Sequence, residues 1–307
     1  MSMCTGQFSP IIEKNIEELS RQYWSEATLY VVATPIGNLG DISLRALYTL
    51  QLVDVIACED TRTSKALLNS WGIEKPLMAA HQHNEVQAAQ QIIMRLSQGQ
   101  RVALISDAGA PAVSDPGGKL VSLVKEAGFE VRAIPGASAV ITALMSAGVT
   151  SDENPAFTFA GFVPPKAKAR QQWFDQWSKS AAVVLMFESP HRIVDSVKDF
   201  ISICGEERPL GIGRELTKRF EQVTILPAKA LLAWLEEDIN HQRGEFVLIL
   251  PPVNHQATID EQMGELDRLL KVMLPVVSVK DAVSMATSLS GLSKDIVYKR
   301  ALVLKDK

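Results

Sequence analysis

Residues 101–118 read R-V-A-L-I-S-D-A-G-A-P-A-V-S-D-P-G-G, and this stretch decides the fold. Val102 to Ile105 is a short β-branched and aliphatic run without helical period, the pattern of a buried strand. Asp107, Gly109 and Pro111 break any regular continuation, and Ser114 or Asp115 offers an N-cap with Pro116 at the first helical position. The local order is therefore strand, open loop, helix. In open α/β sheets ligands lie beyond the carboxyl ends of the strands, where this loop falls. Small side chains at Ala108, Gly109, Ala110 and Ala112 let a ligand approach the backbone, and Asp107 offers an acceptor or faces a cation. A tight strand-to-helix turn would explain the same residues, because short glycine motifs are weak signals.

Working outward, Thr28 to Ala33 is a second β-branched strand, and T-P-I-G-N-L-G-D (34–41) forms a second loop before a helix from Ile42. Two such loops after strands suggest one shared ligand. The dinucleotide fingerprint G-x-G-x-x-G is absent and Pro35 stands where its early glycine would be, which argues against a nicotinamide cofactor. Strand and helix patterns then alternate to a helix from Ser138 to Ala147, predicting a mainly parallel sheet of about five strands with right-handed crossovers. The polar segment T-S-D-E-N-P (150–155) reads as a linker. A second α/β unit follows from Phe157 to Leu250, and Pro251-Pro252 precedes a helical tail. The expected organisation is an N-terminal extension over 1–27, α/β domains over 28–149 and 156–252, and a tail over 259–307. Ser9-Pro10 is the expected start of a helix in the extension, which reads as an appendage.

The chain has 307 residues, 47% of them hydrophobic, enough for packed cores. Its formal net charge of −4 argues against a protein that coats nucleic acid non-specifically. Cys4, Cys58 and Cys204 have no metal-ligand spacing, so no metal is expected and they read as reduced thiols of a cytoplasmic protein. No apolar run approaches the ~20 residues needed to span a bilayer, and the first residues lack the basic and apolar regions of a signal peptide.

Polar clusters leave several strands: Glu59-Asp60-Thr61-Arg62, His81-Gln82-His83-Asn84-Glu85, Glu188-Ser189-Pro190-His191-Arg192 and Arg214-Glu215-Leu216-Thr217-Lys218. Asp60, Thr61 or Asn84 could serve only as helix caps. On an extended chain His81 and His83 would point to opposite sides, which makes them poor joint metal ligands. Arg192, Arg214, Lys218 and Arg219 form a cationic edge suited to phosphate. Between Pro164 and Arg219 ten Lys or Arg stand against seven Asp or Glu.

The central run S-D-A-G-x-P-x-V-S-D-P-G is joined by A-T-P-I-G-N-L-G-D, A-C-E-D-T-R, H-x-H-N-E, I-P-G-A-S-A, F-E-S-P-H-R and R-E-L-T-K-x-F-E. In content and order these blocks resemble the ribosomal small-subunit RNA methyltransferase I family, a branch of the tetrapyrrole methylase superfamily. The resemblance covers almost all of residues 28–250. It implies two α/β domains that bind S-adenosylmethionine in the cleft between them, usually as a homodimer, and methylation of the ribose 2′-OH of a cytidine in 16S rRNA of the small ribosomal subunit. The implied cofactor contacts are Pro35, Ile36 and Gly37, then Asp107 and Ala110, Ser138 and Ala139, and Phe187 and Leu216. The chain departs from the pattern in its first 27 residues and in S-D-A-G, which replaces the superfamily's commoner G-D-P. The reaction needs a base for the ribose hydroxyl, with Glu59, Asp60, His83 and Glu85 the nearest ionisable candidates. Arg62, Arg192, Arg214 and Lys218 are expected to meet RNA phosphate. Two other readings stay open: methylation of a small tetrapyrrole on the same fold, and a non-catalytic ribosome-assembly factor that binds S-adenosylmethionine.

In the tail, Leu266, Leu269, Leu270 and Met273 recur at helical spacing, Ser278 with Asp281 predicts a capped second helix, and Ser290-Gly291 a turn. Ser293 can cap a third helix, giving the spacing of a helix-turn-helix. The expectation is that Lys294, Lys299 and Arg300 touch RNA phosphate. A small bundle that only packs is the other reading.

Overall fold

The computed structural model describes residues 5–253 and 255–305; Cys4 and the two C-terminal residues lie outside the described residues. The chain divides into two compact units, one holding the residues up to Asp175 together with Val183–Pro251, the other Gln176–Ala182 with the chain from Pro252.

In the first unit the elements run α1 (Thr5–Ser20), β1 (Thr28–Val32), α2 (Leu44–Leu52), β2 (Val55–Cys58), α3 (Thr61–Asn69), β3 (Leu77–Ala79), α4 (Glu85–Ser97), β4 (Val102–Ile105), α5 (Gly118–Glu126), β5 (Glu130–Ile134) and α6 (Ala139–Ala147). They continue as β6 (Phe157–Phe162), α7 (Ala167–Ser178), β7 (Val183–Glu188), α8 (Ile193–Cys204), β8 (Pro209–Arg214), β9 (Gln222–Pro227), α9 (Ala228–Glu237) and β10 (Phe246–Leu250).

The first sheet has the order β3-β2-β4-β1-β5 and is parallel throughout. Every residue of β2 and β4 is buried, as a parallel sheet with both faces covered requires. Alternation along the strands sends Leu29, Val102 and Leu104 into one core layer and Tyr30, Val32, Ala103 and Ile105 into the other. The chain reverses its direction of travel across the sheet between β4 and β1, and the two predicted loops leave the sheet there. The second sheet, β6-β7-β10-β8-β9, is mixed: among its neighbouring pairs only β6 and β7 are parallel. β10 enters antiparallel between β7 and β8, and β8 and β9 form a hairpin.

Helix α6 precedes the linker yet packs on the second sheet. Its Val140 and Ala143 share a core with Val183, Leu185, Leu216, Val247 and Ile249. The helix lies against β7, β8, β9 and β10.

Two expectations are corrected here. The segment before β1 is not an appendage: the Trp24 indole donates to the Leu19 carbonyl (2.9 Å) and packs against Tyr30 and Tyr48, while the Tyr30 hydroxyl donates to the Ser25 carbonyl (3.0 Å). Its helix also starts earlier than Ser9, at Thr5, with Pro10 inside. Likewise α5 does not start at Pro116. Ser114 has φ +62°, and the loop runs on to Gly117 (φ +129°), whose N–H donates to Glu85 Oε1 at 2.6 Å. The cap comes from another helix.

The second unit holds α10 (His255–Met273), α11 (Val279–Ser290) and α12 (Lys294–Lys305) around Leu266, Leu270, Ala282, Val283, Ala286, Val297 and Ala301. Ser278 Oγ accepts from the Asp281 N–H, the predicted cap, and Gly291 ends α11 in the left-handed conformation. Among the described residues no helix is long and apolar enough to cross a membrane.

Candidate functional site

The loops after β1 and β4 are stitched together by an isolated bridge between Thr34 and Gly109. Beside this bridge a cavity of about 320 Å³ opens between the two sheets, within the usual range for a small-molecule site. Ala108, Gly109 and Ala110 of the central loop form one wall, Ser138 to Val140 at the start of α6 a second, and Phe187, Gly213, Leu216 and Val247 of the second sheet a third. Six of the residues named from the sequence as cofactor contacts line it: Ile36, Ala110, Ser138, Ala139, Phe187 and Leu216.

Pro35, Gly37 and Asp107 do not line this cavity. Pro35 is buried. At Gly37 a Cβ would stand 2.6 Å from Lys218 Cγ and 3.0 Å from Thr217 Oγ1, so this glycine lets the loop after β8 close on the loop after β1. Asp107 Oδ1 accepts from the Asp60 N–H at 3.4 Å. It belongs to a group of acids at the carboxyl ends of β2 and β4.

That group includes Glu59, whose carboxyl is pushed up by burial and by Asp107, with His81 working the other way. It also includes Asp115, which the sequence marked only as a possible cap. Burial, then the charge of Glu59, push Asp115 up to about 6; the Ser106 hydroxyl opposes this and Asp107 adds to it. Asp115 lines the cavity, whereas Glu59 does not.

The other proposed bases are occupied or outside the cavity. Asp60 caps α3 and pairs with the exposed Arg62, whose hydrogen bonds hold the Asp60 carboxyl below the usual range. His83 is exposed, with Nε2 3.3 Å from the Gln82 amide. Glu85 is spent on Gly117. His81 and His83 do not diverge as on an extended chain. Residues 82–84 form a turn, and the rings meet edge to face at 6.0 Å. Asn84, the expected cap of α4, instead accepts from the His81 N–H and donates to the Ala79 carbonyl.

The residues expected to meet phosphate have partners within the protein or are exposed. Arg214 is 7% exposed, and its guanidinium donates to the carbonyls of Arg243, Asn240 and Phe220 and to Gln222 Oε1. Arg192 pairs with the buried Glu188 at 2.7 Å, while Glu188 also accepts from the Ser189 N–H and, closely, from the Ser196 hydroxyl. Lys218 lies between Glu215 (3.0 Å) and Glu245 (2.8 Å). Burial works to lower its pKa, but these two carboxylates hold it above the usual lysine range. In the second unit Arg300 forms a fork on Asp267, two bonds of 2.6 Å that tie α12 to α10, whereas Lys294 and Lys299 are exposed. Arg192, Arg214 and Arg300 thus each reach an acceptor within the protein.

A groove of about 730 Å³ adjoins the cavity across the paired ends of β8 and β10. Arg219, Arg243 and Phe220 line it and are exposed, with the Arg219 guanidinium 5.5 Å from the Phe220 ring centroid. The acids lining it are engaged: Glu215 with Lys218, Glu221 with the Thr217 N–H, and Asp238 with Asn240. The groove thus offers cations and an aromatic face. Of these residues sequence reading had marked Arg219 but not Phe220 or Arg243.

The cavity fits S-adenosylmethionine. Ile36, Val140, Phe187 and Leu216 supply apolar walls for a flat ring, and small residues leave backbone groups open in the central loop. At Gly109 (φ +79°) a Cβ would meet Ile36 Cγ2 at 3.3 Å, so the close passage of the two loops needs glycine.

Comparison with known proteins agrees. The model of the tetrapyrrole (corrin/porphyrin) methylases matches residues 28–232, and that of the RsmI C-terminal HTH domain matches residues 260–305. The ribosomal RNA small subunit methyltransferase I of Escherichia coli O157:H7 is 42% identical over 278 residues, covering 91% of this chain and 96% of that protein. Its counterpart in Neisseria meningitidis serogroup B is 44% identical over 281 residues, covering 91% and 94%. Among solved structures, a cobalt precorrin-4 methyltransferase superposes with a TM-score of 0.54 at 18% identity, covering 73% of this chain and 95% of that one. A diphthine synthase gives 0.53 at 17%, covering 73% and 89%, and these two show a shared fold.

Proposed function

This chain belongs to the tetrapyrrole methylase family, in its ribosomal RNA small subunit methyltransferase I branch, and from that premise we propose that it is an S-adenosylmethionine-dependent methyltransferase of small-subunit rRNA. The observation that carries the reading is the cavity at the carboxyl ends of β1 and β4, lined by six of the nine residues through which the family resemblance had implied cofactor binding. The finer reading is methylation of the ribose 2′-OH of a cytidine in 16S rRNA.

S-adenosylmethionine supplies a methyl group on a sulfonium, already activated for displacement. The protein's task is therefore positioning, for which ~7–11 kcal/mol is the general ceiling. Ile36, Phe187 and Leu216 would hold the cofactor's apolar face, and Ala108 to Ala110 would present backbone groups to it. The close approach of Thr217 and Lys218 to Gly37 would hold the loop after β8 against the loop after β1, fixing the walls that each contributes to the cavity. RNA would lie along the groove of Arg219, Phe220 and Arg243, where guanidinium meets phosphate and the exposed ring stacks on a base. Lys294 and Lys299 of the helix-turn-helix would add phosphate contacts. Family membership also supports a homodimer and a cytoplasmic location, which native mass spectrometry and cell fractionation test.

The experiment is transfer of radiolabelled methyl to isolated small subunits, free rRNA and a porphyrinoid. Label in the ribose of an rRNA cytidine is the expected result. Label in the porphyrinoid alone would assign a tetrapyrrole substrate, and cofactor binding without transfer would assign an assembly factor.

A further inference from the structure

We propose that Asp115 is the catalytic residue that receives the ribose hydroxyl proton, an inference that rests on the methyl-transfer reading above. Among the described residues, three carboxylates line the cavity: Asp115, Glu188 and Glu245. Glu188 is buried against Arg192, Ser196 and the Ser189 N–H, and Glu245 pairs with Lys218. Among the same residues no cation faces Asp115. Around it stand the Ser106 hydroxyl and the carboxylates of Glu59 and Asp107.

The loop holds this side chain in place at a conformational cost. Ala112 (φ +66°) and Ser114 (φ +62°) both take the left-handed region, which non-glycine residues avoid unless the surroundings impose it. The surroundings do so through Ala112 N–H to the Pro116 carbonyl (3.3 Å), Val113 N–H to the Ala110 carbonyl (3.3 Å) and Gly117 N–H to Glu85 (2.6 Å). Across the cavity mouth, β6 bulges between Phe159 and Phe162, and a Cβ on Gly161 would lie 3.8 Å from Ser114 Oγ. Phe162 is 55% exposed there, and its ring meets that of Phe187 edge to face at 5.3 Å. A nucleotide entering beside Phe162 would bring its ribose to Asp115. Burial and the two neighbouring acids raise the Asp115 carboxyl to about 6, so it is ionised at neutral pH yet basic enough to act.

The step balances on these groups. The ribose O–H bond breaks and its proton passes to the Asp115 carboxylate. The oxygen's electron pair forms the O–CH3 bond, and the pair of the S–CH3 bond stays on sulfur, leaving a neutral thioether. Asp115 then returns its proton to water.

The test uses the full chain with Asp115→Asn and Asp115→Glu. For Asp115→Asn, methyl transfer to small subunits should fall by about 10²- to 10⁴-fold. Cofactor affinity by calorimetry should stay within about twofold, and the acid limb of the rate profile near pH 6 should vanish. Asp115→Glu should restore part of the rate with its acid limb. Carboxyl NMR of the cofactor-free protein should show a titration near 6 that Asp115→Asn removes. A wild-type rate in Asp115→Asn, or equal losses of rate and cofactor affinity, would overturn the proposal alone. A wild-type protein that transfers no methyl to any RNA overturns the function and the proposal together.

Discussion

Thr34 and Gly109 exchange two backbone hydrogen bonds, Thr34 N–H to the Gly109 carbonyl at 2.8 Å and Gly109 N–H to the Thr34 carbonyl at 3.1 Å. The loops after β1 and β4 are thereby one rigid piece at the point where the sheet changes its direction of winding. Gly109→Ala should break that piece. Left-handed backbone costs a non-glycine residue roughly 1–2 kcal/mol, and the new methyl would press on Ile36. Lower melting temperature and weaker cofactor binding by calorimetry are expected together; unchanged affinity would detach this bridge from the site.

Glu85→Ala should destabilise the protein by about 1 kcal/mol, the usual worth of an N-cap, although Glu85 lies in a different helix from the one it caps. Chemical denaturation measures the loss. A fully stable variant would mean that water satisfies Gly117 equally well.

Arg192→Ala is expected to act on stability and not on RNA affinity. It leaves Glu188 buried without its cation; Arg192 is 27% exposed, so the cost should be roughly 2 kcal/mol, below the ~3–5 of fully buried pairs. Lost RNA binding with normal stability would reverse the assignment.

Asp115→Asn should also stabilise the protein at neutral pH. The folded carboxyl titrates at about 6 against an ordinary 3.8, so between those values the folded state keeps a proton that the unfolded chain has released. Stability therefore falls as pH rises through that window, and the penalty is complete above it. Solvent screening of a half-buried group leaves on the order of 1 kcal/mol. Melting curves should show the variant gaining on wild type between pH 4 and 6.5, with no difference at pH 4. A constant difference across the range would count against a raised carboxyl.

Arg219→Ala with Arg243→Ala should weaken binding to small-subunit rRNA and flatten its salt dependence, the slope falling by about 0.7–0.9 for each phosphate left without its cation. Cofactor affinity should not change. If the slope stays as steep as in wild type, the groove is not where RNA lies.

The first sheet was legible because each of its strands is short, apolar and bounded by turn residues. Most of the cavity was legible because loops rich in Gly, Ala and Pro mark where backbone meets a ligand. Asp115 was hidden because Ser-Asp-Pro is also the signature of a helix start, and nothing local reveals that Glu85, 32 positions away, supplies that cap. The roles of Arg192, Arg214 and Arg300 were hidden for a related reason. An arginine's sequence neighbours do not tell whether its guanidinium ends in water or on a carbonyl brought near by the fold.

Helix α6 has a consequence for how the chain is made. It leaves the ribosome with the first sheet, but the strands it packs on run from Val183 to Leu250. Until those residues have been synthesised, Val140 and Ala143 face solvent or whatever else is at hand. A chain arrested or cut at the polar linker over 150–155 would carry a complete parallel sheet and a helix with no seat, a species prone to stick to its own kind. The two sheets are thus distinct in topology but joined in manufacture, and fragments divided at that linker should recover solubility only when both are produced together.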